Sequence, residues 1–427
     1  MSKTTSQENF PKLKSSELID EMLFTIRMQE ASGSSVPMMI WGQPGAGKSD
    51  IVKEVGKRTT RPIIDIRLLL KDPTDLSGIP YINSHGEMGF AAPSDLPVSD
   101  SKALQLKVEL AQLNNQLSEE QKVDVEKLSE VELAQLQVLE NSVKELMSRI
   151  EMTRAIILLD ELSSAPPSLQ AAALQLVLDR QVGSYKLPKD VVIFAAGNRA
   201  ADKTVHHDMP MPLRNRMRHA EFLIDSEEWV RWAVNAKVHP AIVGMIKAKP
   251  TMLNQFADAL KHQQYAFATP RTWKQSSDTL YFSESEGANG KLINSRIASI
   301  VGAGTASQFT AHLKYVHKLP TPESIATGKE MKWNKDLDMS AAYTMIINTL
   351  YWVQGKYEDE RQKDADVAET DLEKRLDNSL NYMLVNFDDT PELCIMGAYM
   401  IFNTYKLPYD GKYLNDLVDK YGDFIDL

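Results

Sequence analysis

The sequence has little of what secreted and membrane proteins depend on. Among its 427 residues there is one cysteine, Cys394, which excludes an internal disulfide and a cysteine zinc cluster. No apolar run approaches the roughly 20 residues that a membrane-spanning helix needs. The polar N-terminus lacks the apolar stretch of a secretory signal. We therefore expect a protein of the reducing cytoplasm with no membrane segment.

Positive charge is also scarce. Lys and Arg number 48 against 58 Asp and Glu, a formal net charge of −10 with a pI of about 5.4. This balance argues against a protein that coats duplex DNA, because phosphate backbones are bound by basic side chains. It leaves room for a small basic pore, and acidity by itself also keeps a protein in solution.

Five short apolar runs alternate with helical segments in the first half of the chain. They are Val36–Trp41, Pro62–Leu68, Ala155–Leu159, Val191–Ala196 and Ala220–Ile224. Continuous apolar runs are typical of parallel strands that helices cover on both faces. The pattern predicts a three-layer α/β domain over residues 1–225, with a parallel five-stranded sheet.

The second half of the chain lacks a second set of strands. Helical segments such as Glu227–Val238, Pro270–Leu280 and Ala341–Val353 follow one another from Ser226 onward. We divide this half into a helical lid domain, residues 226–320, and a C-terminal helical extension of the lid, residues 321–427.

One segment, residues 101–150, contains neither glycine nor proline. Its apolar residues recur at spacings of three and four, as in a coiled-coil seam. They are Leu106, Leu110, Leu113 and Leu117, then Leu136, Leu139, Val143, Leu146 and Ile150. Capping-box patterns that start at Ser118 and Ser129 predict an interruption between two helices. We expect a helical hairpin inserted in the α/β domain, either as a partner-docking arm or as a structural prop.

The strongest motif is a glycine-rich loop between a predicted strand and a predicted helix. It has the P-loop pattern and reads Gly42-Gln43-Pro44-Gly45-Ala46-Gly47-Lys48-Ser49. The glycines let successive backbone N–H groups point at phosphate oxygens, and the helix adds its positive N-terminal end. Lys48 would supply a charge to the β and γ phosphates of ATP, and Ser49 a ligand for Mg²⁺. The alternative is a chance glycine turn, which the flanking strand and helix disfavour.

The second motif is the pair Asp160-Glu161 at the end of an apolar run. Carboxylates that end a buried strand are costly unless they serve a charge. Asp160 is placed to hold Mg²⁺, and Glu161 to polarise the water that attacks the γ-phosphate. Without a P-loop upstream, a solvated surface pair would be the better interpretation.

Three weaker signals accompany these motifs. Asn198 ends another apolar run and could orient the attacking water, or it could simply form a tight turn after Gly197. The basic cluster Met211–His219 could stabilise charge on a transferred phosphoryl group, or be a surface patch. Arg271 lies in the first turn of a predicted helix, where a cation is unfavourable to the helix dipole. It either contacts a γ-phosphate or extends into solvent.

Together these motifs resemble the AAA+ superfamily and, within it, the MoxR branch, most closely from Trp41 to about Trp273. The run Asp160–Gln170 is similar to the Walker B signature of that branch. The run Ala195–Arg199 is similar to its sensor-1 strand end, with Asn198 at the sensor position.

The resemblance also implies roles for three arginines. Arg216 corresponds to the arginine finger, with Met217 in place of the usual phenylalanine, and Arg214 is a second candidate for that role. Arg271 corresponds to sensor 2. Glu161, Asn198, Arg216 and Arg271 are therefore the expected catalytic residues.

Two segments look like the hairpins that line the central pore in members of this family. The first comprises Asp75–Pro80, Gly86 and Ala91–Pro93, and the second Arg180–Lys189 with Gly183 at its turn. The helical insert at 101–150 departs from the family pattern, in which this connection is short.

The resemblance implies a ring hexamer of ATPase subunits that remodels a protein, typically a partner with a von Willebrand factor A domain. A nucleic-acid motor or loader would share the same ATP site and could use Lys186 and Lys189 of the second hairpin. A small-molecule kinase is disfavoured by Glu161, Asn198 and the finger-like Arg216, which suit attack by water between subunits.

Overall fold

The computed structural model covers the chain and divides it into two compact units, with the boundary between Leu223 and Ile224. The structure describes residues 10–82, 86, 88–91, 93, 95–120, 130–182, 185–202, 207–316, 318–334, 336–362 and 365–422.

The first unit is an α/β domain built on a parallel sheet. Its strands are β1 (Lys12–Leu13), β2 (Met38–Trp41), β3 (Ile63–Arg67), β4 (Ile79–Ile82), β5 (Met88–Ala91), β6 (Ile156–Asp160), β7 (Gln181–Val182), β8 (Tyr185–Lys186), β9 (Val192–Gly197) and β10 (Arg218–Phe222). Six of them form the sheet in the order β1-β10-β2-β9-β6-β3, with every neighbouring pair parallel.

The predicted α/β class is confirmed, but the predicted five-stranded sheet is wrong by one strand. Each of the five predicted strands forms within two residues of its predicted bounds. The sixth strand, β1, has no apolar run to reveal it, because Lys12 and Leu13 pair with Glu221 and Phe222 only at the sheet edge. Backbone hydrogen bonding with β10, rather than burial, makes this segment a strand.

Helices cover the sheet. In the first unit they are α1 (Ser15–Ser32), α2 (Lys48–Thr59), α3 (Pro73–Ser77), α4 (Asp100–Glu120), α5 (Glu130–Glu151), α6 (Pro167–Asp179) and α7 (Met211–Arg214). Leu169 and Leu176 of α6 share a core with Met39, Ile157 and Ile193 of the sheet. The α1 and α2 helices also contact the sheet strands. Strand burial without alternation follows from this cover.

The predicted insert forms two helices that pack against each other, α4 and α5. Leu106 of α4 and Val143 and Leu146 of α5 are buried, as the three- and four-residue spacing predicts. The segment 121–129 lies outside the described residues, together with Gln121 and Ser129 of the predicted capping boxes.

Both predicted hairpins form as antiparallel strand pairs. In the first, β4 pairs with β5, so that Ile79 lies opposite Ala91 and Ile82 opposite Met88. In the second, β7 pairs with β8. Ala92 and Gly183, which the family resemblance also used, lie outside the described residues.

The second unit is helical in its described residues. Its helices are α8 (Ser226–Asn235), α9 (Pro240–Ala248), α10 (Phe256–His262), α11 (Pro270–Ser285), α12 (Gly290–Val301), α13 (Ala303–Val316), α14 (Pro322–Ala326), α15 (Met339–Arg361), α16 (Ala365–Asn386), α17 (Pro391–Tyr399) and α18 (Leu414–Tyr421), with a π-helical turn at Met400–Thr404. They share one hydrophobic core, which includes residues from both sides of residue 320, such as Trp273 and Leu350.

The α9 and α15 helices cross closely at Gly244. A Cβ atom built on Gly244 would lie 2.0 Å from Oγ1 of Thr344. Only glycine therefore lets these two helices approach at this point. None of the described helices is long and apolar enough to cross a membrane.

Candidate functional site

The P-loop, the acidic pair and Asn198 meet at one edge of the parallel sheet. They lie at the carboxyl ends of β2, β6 and β9, which are neighbours with β9 in the centre. Strands of a parallel sheet present their carboxyl ends at the same edge, and ligands bind there where connections diverge to either side. The topology thus collects residues that lie up to about 150 positions apart, such as Lys48 and Asn198.

The P-loop has the backbone that a phosphate cradle requires. Gly45 and Gly47 have φ values of 76° and 102°, in the left-handed region that favours glycine. Gly47 is the N-cap of α2, so the helix opens directly on the loop. The backbone N–H of Gly42 donates to the carbonyl of Gly197 at 3.2 Å, which ties the loop to β9. The rest of the turn between Gly42 and Gly47 consists of Gln43, Pro44 and the buried Ala46.

Lys48 is buried and its ammonium group is held at the mouth of the loop. Its Nζ donates to the carbonyl oxygens of Gly42 at 2.7 Å and Gln43 at 3.2 Å, and to Oδ1 of Asn198 at 3.0 Å. A buried ammonium needs such partners, because an unpaired charge in the interior is costly. Phosphate oxygens would be stronger acceptors than these neutral groups.

Ser49 and Asp160 lie together as a pair of oxygen ligands would. Oγ of Ser49 donates to Oδ2 of Asp160 at 3.0 Å. Mg²⁺ holds octahedral oxygens at about 2.0–2.1 Å, which places neighbouring ligands about 3 Å apart. The two side chains therefore fit one ion. Mg²⁺ is usually held by one or two protein oxygens together with substrate phosphates and water. Among the described residues, no group of three or more His, Cys, Asp or Glu could hold a metal.

Glu161 has a strained backbone and an engaged side chain. Its φ is 59°, in the left-handed region, and its N–H donates to Oδ1 of Asp160 at 2.9 Å. Its carboxylate accepts from Nδ2 of Asn198 at 3.0 Å and from Oγ of Ser164 at 3.3 Å, both at Oε2. Strain of this kind concentrates at functional sites, where the surrounding contacts hold it.

Asn198 joins the two motifs through the two ends of one amide. Its Oδ1 accepts from Nζ of Lys48, and its Nδ2 donates to Oε2 of Glu161. An ammonium only donates and a carboxylate only accepts, so these partners determine the orientation of the amide. A residue that merely formed a turn would not need both contacts.

Two serines, to which sequence reasoning assigned no role, position these groups. Oγ of Ser163 donates to the carbonyl of Asn198 at 3.0 Å and accepts from its N–H at 2.9 Å. Ser164 holds Glu161 as described above. Both lie in the run Asp160–Gln170 that resembles a Walker B signature, and Nε2 of Gln170 holds that run by donating to the carbonyls of Leu162 and Ala165.

Arg199, the residue after Asn198, holds the end of β9 in place through ion pairs. Arg199 forms ion pairs with Asp202, at 2.7 Å between Nη2 and Oδ1, and with Glu221 of β10. The hydrogen bond to Asp202, opposed by partial burial, raises the pKa of Arg199. The guanidinium thus stays charged and holds the end of β9 against β10.

We predict that Gly197→Ala will impair both stability and the site. A Cβ at this position would lie 2.6 Å from Oγ of Ser163 and 2.6 Å from Cε of Met39. Overpacking of this kind costs about 1–3 kcal/mol of unfolding free energy, and it displaces the serine that holds Asn198. Denaturant unfolding measures the first effect, and the activity proposed below for this site, hydrolysis of ATP, measures the second. Gly355→Ala is the control, since a Cβ there would meet no side chain and no other segment of the protein within 4 Å. A variant as stable and as active as wild type would contradict the prediction.

The basic cluster before β10 divides into engaged and free arginines. Arg214 donates through Nε to the carbonyl of Met209 at 2.7 Å. Arg218 donates to Oγ1 of Thr25 at 2.9 Å and forms an ion pair with Glu21 of α1. The exposed side chain of Arg216 has no hydrogen-bond or ion-pair partner among the residues that the structure describes. Of the two candidate fingers, Arg216 is thus the one that is free to reach another molecule.

Arg271 belongs to the second unit. It lies in the first turn of α11, after the N-cap Thr269 and Pro270, and is exposed. Its role as sensor 2 stays a prediction.

Comparison of the sequence with protein-family models and with curated proteins finds no match.

Proposed function

We propose that this protein is an ATPase, in which ATP binds at Gly42–Ser49 and water attacks its γ-phosphate with the help of Glu161. The observation that carries this proposal is the Asn198 amide, which contacts both Lys48 and Glu161. A phosphate-binding cation and a carboxylate base joined by one amide are what hydrolysis by a positioned water requires.

Each side chain has a task in that reaction. Lys48 binds the β and γ phosphates, exchanging neutral acceptors for charged ones. Mg²⁺, held by Ser49 and Asp160, would neutralise charge on the phosphates when bound. Glu161 accepts a proton from the attacking water at a carboxylate oxygen, and Asn198 holds both the carboxylate and the water in line. The residues that bind the nucleotide and those that hydrolyse it therefore lie at the ends of adjacent strands.

The finer proposal is an AAA+ ATPase of the MoxR type, which works as a homo-hexamer and remodels a protein partner, such as one with a von Willebrand factor A domain. The side chain of Arg216 is exposed and has no partner among the described residues, which supports a ring, because an arginine finger that acts on a neighbouring subunit must extend away from its own. The β4–β5 hairpin supports a protein partner, because Ile79, Ile82 and Met88 are each more than two-thirds exposed. Apolar side chains in water mark interaction sites when they cluster.

A nucleic-acid motor or loader is the second candidate, and one observation favours it. Lys186 in β8 and Lys189 beyond it are both exposed, so they are accessible to phosphates. Hydrolysis measured with added DNA, with added candidate protein and with neither separates the two functions: stimulation by DNA alone would replace the protein-remodelling proposal.

The test of the ATPase proposal is Glu161→Gln. We expect ATP binding to persist and hydrolysis to fall at least about 100-fold, the scale of a lost general base. Glu54→Gln is the matched control, since Glu54 is half-buried on α2 and, among the described residues, forms its ion pair with Arg58. Binding by calorimetry and phosphate release at saturating ATP give the two quantities. Normal turnover in the Glu161 variant would assign the base to another residue.

A further inference from the structure

Three rings cluster beside the P-loop, and none of them has a role in the reaction described above. They belong to Phe10, Trp41 and His219. The ring of Phe10 is nearly parallel to that of Trp41, with an interplanar angle of 6° and centroids 5.9 Å apart. It is tilted by 18° from the ring of His219, with centroids 5.1 Å apart. Trp41 is buried, and the other two are partly buried.

Hydrogen bonds connect two of these rings to the backbone of α7. Nε1 of Trp41 donates to Nδ1 of His219 at 3.0 Å. Nε2 of His219 lies 2.8 Å from the carbonyl oxygen of Arg214, which can only accept. These two partners fit the imidazole tautomer in which Nδ1 accepts from Trp41 and Nε2 donates to Arg214.

The two ends of this chain of bonds lie in functional segments. Trp41 immediately precedes Gly42, the first residue of the P-loop, and lies opposite Gly197 of the neighbouring strand β9. At the other end, the carbonyl of Arg214 also accepts from the N–H of Met217 at 3.4 Å, so the turn that contains Arg216 is closed on this oxygen. His219 is thus the side chain that braces this turn.

We propose that Trp41 and His219 are positioning residues that set the direction in which Arg216 leaves the subunit, and so link the P-loop of one subunit to the γ-phosphate of the next. This inference rests on the proposed function, in which Arg216 is an arginine finger. The physical cause is rigidity: a free arginine on a loose turn would have to be ordered at each reaction, and misplacement of a catalytic group by about 1 Å can cost roughly 100-fold in rate.

The chain offers substitutions that cut the two bonds separately. Gln places a nitrogen near Nε2 of histidine, so His219→Gln retains the donor to Arg214. Asn places an oxygen near Nδ1, so His219→Asn retains the acceptor for Trp41 but releases the turn. Trp41→Phe removes the indole donor and keeps a ring next to Phe10.

In the homogeneous proteins we expect ATP affinity to stay near wild type in all three variants. For His219→Asn, kcat at saturating ATP should fall by between about 10-fold and 100-fold. For His219→Gln, kcat should stay within about 3-fold of wild type, because this variant keeps the hydrogen bond to the carbonyl of Arg214. Trp41→Phe should lie between them. Equal loss in His219→Gln and His219→Asn would overturn the proposal.

Mixing supplies a readout that a merely structural role would not move. His219→Asn subunits retain a competent P-loop, and Lys48→Ala subunits retain a competent finger. In mixed rings the activity of the His219→Asn protein should rise, because its P-loop then receives a well-held Arg216 from the neighbour. If the ATPase activity does not rise in mixed rings, and the variant has a lower unfolding midpoint or weaker ATP binding, His219 contributes only to the stability of the fold and the proposal is wrong. If His219→Asn does not fold, Trp41→Phe is mixed in its place.

Arg216→Ala, measured alongside, distinguishes failure of this inference from failure of the proposed function. If Arg216→Ala hydrolyses ATP at the wild-type rate, the finger itself is wrong. If Arg216→Ala is impaired while His219→Asn and Trp41→Phe hydrolyse ATP like wild type, the finger stands and the positioning role fails.

Discussion

Lys48→Ala is expected to abolish ATP binding at any ordinary nucleotide concentration. Hydrogen bonds from a charged donor contribute about 1.5–3 kcal/mol each, and an ammonium between the β and γ phosphates makes at least two. Their loss corresponds to a weakening of about 100-fold to 10,000-fold, at roughly 1.4 kcal/mol for each factor of ten. The variant also leaves the carbonyl of Gly42 and Oδ1 of Asn198 without the donor that Lys48 supplies.

Titration calorimetry with ATP and Mg²⁺ measures this effect directly. Lys53→Ala is the matched control, since Lys53 lies between one and two turns further along α2, is exposed and, among the described residues, forms its ion pair with Asp50. That variant should bind like wild type. Unfolding curves of both variants show whether the loop still folds. Affinity within about 3-fold of wild type for a folded Lys48→Ala protein would remove the P-loop assignment.

Arg216→Ala is expected to bind ATP almost normally and to hydrolyse it at least about 1,000-fold more slowly, the contribution of an arginine supplied across an interface. Within one subunit, Lys48 and Glu161 approach the phosphate site from the P-loop and from the end of β6, and Asn198 joins them. Arg58→Ala is the control, because Arg58 is exposed on α2 and pairs with Glu54. It should leave both quantities unchanged.

Two measurements decide whether Arg216 acts between subunits. A mixture with Lys48→Ala protein should recover part of the activity, because an intact finger then meets an intact P-loop. The specific activity of the wild-type protein should also fall on dilution through the assembly range. If a proven monomer keeps the full specific activity, the ring proposal is wrong and Arg216 is an ordinary surface arginine.

Local patterns were enough to place the main elements of the first unit. The P-loop at Gly42–Ser49 was predictable because its glycines, lysine and serine are neighbours in sequence, and the same chemistry requires them in that order. The strand β6 and its terminal Asp160 were predictable because a buried parallel strand is a continuous apolar run. The helices α4 and α5 followed from a seam repeated at three and four residues.

Features that depend on distant partners were not predictable in this way. The strand β1 has no apolar run, and its two residues become a strand only through the edge of β10. Ser163 has nothing in its neighbourhood that marks it, since its role lies in two bonds to Asn198, 35 residues away. The bond between Trp41 and His219 spans 178 residues.

By itself, the sequence determined the α/β class, the glycine-rich loop and the carboxylates at the end of β6, because each rests on residues within one short segment. The tertiary structure alone decided which polar groups meet: that Asn198 bridges Lys48 and Glu161, and that Arg214 and Arg218 have partners among the described residues whereas the Arg216 side chain has none there. The physical reason is the parallel sheet, whose strand order brings the ends of β2, β9 and β6 to one edge. A side chain's hydrogen-bond partners are settled only when those ends are side by side.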